Sequence, residues 1–161
     1  MSSSTSPTLT GFQWFIAHIM GVSTIYLPTT SPVIAWVLAI ALNTVNVDLQ
    51  AVGAPAANGL PATNMYNVAV YNLAASLLLN LAQDQPGYTY FNDQRTKFNI
   101  TTYNAGVVQS TADASTSESL AVPTWATGLT IGQLTQLKDP YGRMYLQIAQ
   151  SYGPTIWVSA C

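Results

Sequence analysis

Ser31-Pro32-Val33-Ile34-Ala35-Trp36-Val37-Leu38-Ala39-Ile40-Ala41-Leu42 is a helix start followed by an unbroken apolar run. Ser before the first turn accepts from backbone N–H groups that have no partner in the helix. Pro at the first helical position gives up a donor that would have gone unused. The pattern predicts a helix over 31–49. A Gly-, Pro- and Ala-rich stretch at 53–61 then reads as a linker loop. A second helix is expected from Thr63 or Asn64, its cap, to about Gln83, closed by Gln85-Pro86-Gly87. Val33, Ile34, Trp36, Val37, Leu38, Ile40 and Leu42 leave the first helix no polar face. Val68, Val70, Leu73, Leu77, Leu78, Leu79 and Leu81 crowd the second. Helices apolar on all sides are buried on most sides. Cover from neighbouring subunits is the expectation, hence an oligomer. The alternative is a central hairpin wrapped by the rest of the same chain.

Working outward, residues 1–8 read as a flexible polar start. Phe12, Phe15, Ile16, Ile19 and Met20 fall at helix spacing, so a short helix runs from Leu9 to Met20 and ends at Gly21. Tyr88 to Tyr103, with Asp93, Arg95 and Lys97, reads as a loop with a short helix. Segment 106–122 has two strand-like ends, Val107-Val108 and Leu120-Ala121-Val122, around a Ser/Thr-rich tip, and predicts an extended hairpin or arm. Asp139-Pro140 repeats the cap-plus-Pro start, and Tyr141 to Gln150 continues as a helix with Met144, Tyr145 and Ile148 on one side. Gly153-Pro154 should stop it, leaving 154–161 as an apolar, extended tail. Ile156, Trp157 and Val158 are too apolar to be left in water and predict a docking peptide. The expected fold is therefore mainly α: a helical bundle in one domain, 1–161, with a long β-like hairpin arm and an extended C-terminal tail.

Composition narrows the function. Charged residues make up 6% of the 161, against about 25% in an ordinary soluble domain. Such a surface is neutral polar or covered by something else. Four basic side chains cannot neutralise many phosphates, so an ordinary nucleic-acid binder is not expected. One Cys and one His build neither a disulfide framework nor a zinc site. The longest apolar run, Val33 to Leu42, is half the roughly twenty residues a spanning helix needs. The run at 65–82 is broken by Asn67, Asn72, Ser76 and Asn80. No membrane association is expected, and the N-terminus lacks the positive region of a secretory signal.

A search for chemistry finds little. His18 lies between Ala17 and Ile19 on an apolar segment and reads as a core or interface histidine, with no Gly-x-Ser-x-Gly elbow to serve. Asp48, Asp84, Asp93, Asp113, Glu118 and Asp139 are scattered through loops and element ends. Asp139 reads as a helix cap. No phosphate-cradling Gly loop is present. The expectation is no enzyme, no cofactor and no metal. Nine Tyr, Tyr141 and Tyr145 among them, suit subunit interfaces, because Tyr buries area while keeping a polar handle.

Gly106-Val107-Val108-Gln109-Ser110, leading into Ser115, Ser117 and Ser119, and then Lys138-Asp139-Pro140-Tyr141-Gly142-Arg143 opening the last helix, resemble the head–tail adaptor (connector or head-completion) family of tailed-bacteriophage neck proteins. The resemblance covers about 30–150. It departs from the family in Lys138-Asp139-Pro140, where Thr is more usual ahead of Tyr-Gly, and in a longer hydrophobic N-terminal part. It implies a homo-oligomeric ring, a dodecamer, in the virion neck between the portal protein and the next neck or tail component. Genomic DNA would pass through its lumen without sequence-specific binding. On that basis Val107, Val108, Leu120, Val122, Tyr141 and Arg143 are expected at subunit interfaces, and Ile156, Trp157 and Val158 on the portal. The rival readings are another neck or tail ring such as a tail terminator, a small membrane-active phage protein, and a monomeric hydrolase.

Overall fold

The computed structural model describes residues 6–51, 53–54, 63–100, 110–113, 116–119 and 135–158. Helices make the body: α1 (Leu9–His18), α2 (Pro32–Thr44), α3 (Met65–Leu81), α4 (Tyr90–Lys97) and α5 (Pro140–Val158). Helix α3 is the centre. It packs most extensively on α5 and α2, and also meets α1 and α4. Its buried residues point in every direction: Tyr66, Ala69, Val70, Leu73, Ala74, Ala75, Leu78 and Leu79. The fully enclosed alanines let neighbouring helices approach closely. Two asparagines within this helix bond back onto its own backbone. Asn72 Nδ2 donates to the Val68 carbonyl at 2.8 Å, and Asn80 Nδ2 to the Ser76 carbonyl at 2.7 Å.

Side-chain chemistry sets the helix ends. Asn64 caps α3 by accepting from the Tyr66 N–H at 2.8 Å. At the other end the Arg95 guanidinium donates to the carbonyls of Leu79 and Ala82 (3.1 and 2.8 Å), which offsets both the orphan acceptors and the negative end of the helix dipole. Asp84 reaches across the intervening turn and caps α4, accepting from the N–H groups of Phe91 (2.6 Å) and Asn92 (3.0 Å). Gly87, at φ 86°, takes the left-handed conformation that this turn requires.

Helix α2 ends earlier than 49. Asn43 and Thr44 donate from their side chains to the carbonyls of Ala39 and Ile40, both at 2.8 Å. Val45 turns extended, and Asn46 Oδ1 accepts from the Asp48 N–H at 3.0 Å. Short polar side chains that bond nearby backbone favour turns over helix. A 3-10 turn, Val47–Ala51, follows. Strands β1 (Gly53–Ala54) and β2 (Thr63–Asn64) then pair antiparallel and lead back into α3.

Two expectations are corrected. The long β-like hairpin arm over 106–122 is not seen. Among the described residues of this segment, β3 (Ser110–Asp113) pairs antiparallel with β4 (Thr116–Ser119), Ser110 opposite Ser119 and Asp113 opposite Thr116. These strands are made of Ser, Thr, Ala, Asp and Glu, so neither face offers apolar area to carry a longer ladder. Over 154–158 the C-terminal tail is not extended either: α5 runs through Gly153-Pro154 to Val158, and 159–161 lie outside the described residues. Pro154 removes one backbone donor, to the carbonyl of Gln150, within an otherwise continuous helix.

Candidate docking surface

Asp139 is fully buried and fixes the start of α5. Its carboxylate accepts from Ser76 Oγ on α3 (2.7 Å) and from the Gly142 N–H (2.7 Å), so one side chain caps a helix and staples it to the central one. Burial pushes its pKa above the ordinary value. The hydrogen bonds from Gly142, Ser76 and Tyr141, and the Arg143 charge, pull the other way. Gly142 is required here, because a Cβ would collide with the backbone of Gln136. Asp84 is equally occupied as the cap of α4, with Arg95 at 3.9 Å. Asp93 accepts from Thr89 Oγ1 at 2.9 Å. These carboxylates are held by structural partners, and among the described residues no group of His, Cys, Asp or Glu could hold a metal ion. No helix of the described residues is long and apolar enough to cross a membrane.

The tyrosines are largely spent within the chain. Tyr26 stacks on Tyr90 (centroids 4.8 Å apart) and meets Tyr88 edge-on (5.4 Å). Tyr71 stacks on Phe12 at 5.8 Å. Tyr141, expected at a subunit interface, is half-buried against Phe15, edge to face at 6.2 Å, and burial raises its pKa. It seats α5 on α1. Arg143 is exposed. Val107, Val108, Leu120 and Val122 lie outside the described residues. Ile156, Trp157 and Val158 form the last turn of α5. His18 is exposed rather than in the core, and stacks on Trp14 at 4.7 Å.

The surface that stands out lies on α2. Ile34, Val37, Leu38 and Ala41 are buried at helical spacing. Pro32, Ala35, Trp36 and Ala39 are exposed, and Val33 is half-buried. Trp36 is 56% exposed. Pro32, Val33, Ala35 and Trp36 line a shallow, open apolar hollow. No charged residue falls between Pro32 and Val47, and the two polar side chains at the end, Asn43 and Thr44, are turned back onto the helix. Covering the exposed part of one Trp is worth on the order of 2–3 kcal/mol. Trp14, Ile19 and Ile25 are similarly exposed on and after α1. Compared with known protein families, curated proteins and solved structures, the chain matches none.

Trp36 belongs to a run that reads as apolar all round, and only the packing shows which of its residues stay outside. Ser76, a polar interruption in an apolar helix, was the available signal for a buried polar partner. The remote cap by Asp84 has no such signal, because the N–H groups it holds lie seven and eight residues further on, at Phe91 and Asn92.

Proposed function

We propose that the chain is a non-catalytic structural subunit of a tailed-bacteriophage neck, forming a homo-oligomeric ring between the portal and the next tail component. The observation that supports docking is the uncharged, apolar outer face of α2, with Trp36 more than half exposed. Lateral neighbours in the ring are the occupants this reading assigns to it. The structural roles of Asp84 and Asp139 as helix caps fit the same reading, since both carboxylates are engaged in holding backbone N–H groups. The assignment to the neck rests on the sequence resemblance around Gly106–Ser119 and Lys138–Leu146. In this reading the last turn of α5, with Ile156, Trp157 and Val158, meets the portal as a helix end. The small number of basic residues suits a lumen that lets DNA slide.

Light-scattering mass of the purified protein, alone and mixed with a portal ring, tests the proposal. A ring by itself or a stoichiometric complex with portal supports it. A monomer indifferent to portal overturns it. Deleting residues 154–161 separates the two contacts: folding and ring formation should persist while portal binding is lost. Unchanged portal binding by the truncated chain removes α5 from the docking role.

A further inference from the structure

We draw no further inference here: the strongest candidate, the exposed patch of Trp14, His18 and Ile19 at the C-terminal end of α1, is a second unpartnered apolar face, and nothing in the structure shows what covers it.

Discussion

Leu78 on α3 and Trp36 on α2 belong to adjacent, packed helices of similarly apolar sequence, yet Leu78 is 0% exposed and Trp36 is 56% exposed. The difference lies in their neighbours. Helix α3 has α2, α5, α1 and α4 around it, whereas α2 packs on α3 and, less extensively, on α1. An all-apolar helix therefore announces that it needs cover without saying who supplies it. For α3 the chain itself does. For α2 it supplies half.

Substitutions on the two helices should differ in kind. Leu78→Ala leaves a cavity with neighbours on every side and should cost about 2–5 kcal/mol of unfolding free energy. Urea denaturation followed by far-UV circular dichroism reads it. A loss below about 1 kcal/mol would mean that α3 is not the enclosed centre described above.

The staple between α3 and α5 comes next in size. Asp139→Ala removes a cap and strands the buried Ser76 hydroxyl and Gly142 N–H, which should cost about 1–3 kcal/mol. Asp139→Asn keeps an acceptor and loses less. The two substitutions also differ in their pH response. Because burial raises the pKa of Asp139 in the folded state above the ordinary value of 3.8, its contribution is fully present below that value and lost as pH rises through the folded pKa. Asp139→Asn does not titrate, so its stability relative to the parent should climb as pH rises above 3.8. A difference that stays flat or falls with pH would mean that burial does not dominate at this carboxyl.

Much of this architecture is legible in local chemistry. Pro32, Asn64 and Asp139-Pro140 mark three helix starts, because caps and N-terminal Pro act within a few residues of the backbone they serve; Ser31, expected to cap α2, makes no side-chain cap bond, and Pro32 alone marks that start. Ends were harder. Asn43, Thr44 and Asn46 stop α2 through side-chain bonds whose geometry exists only once the turn has formed. Gly153-Pro154 reads as a stop, yet the helix passes through it. The Val- and Leu-ended segment 106–122 reads as a long arm, whereas the pairing seen among its described residues joins the polar stretches 110–113 and 116–119. At the site, the apolar character of 33–42 was plain. Which side of it stays uncovered is a tertiary fact, set by where α3 and α1 lie. Tyr141, expected at an interface, also has a partner within the chain, the Phe15 ring.

The smallest effect on folding should come from Trp36, and it is the most informative. Trp36→Lys exchanges a mostly exposed indole for a charge and should change the unfolding free energy by about 1–2 kcal/mol, since the Lys stem keeps part of the packing that the covered side of the indole makes. Assembly should respond strongly, because a charge at the centre of an apolar contact must be desolvated without a partner. Light-scattering mass would then fall while the circular dichroism spectrum stays unchanged. Trp36→Phe, which keeps an apolar ring, should retain most of the association. If Trp36→Lys folds and assembles as the parent does, the outer face of α2 is simply solvated surface, and cover for the subunit has to be sought elsewhere. If it unfolds, Trp36 packs within the chain as Leu78 does, and the contrast between the two helices disappears.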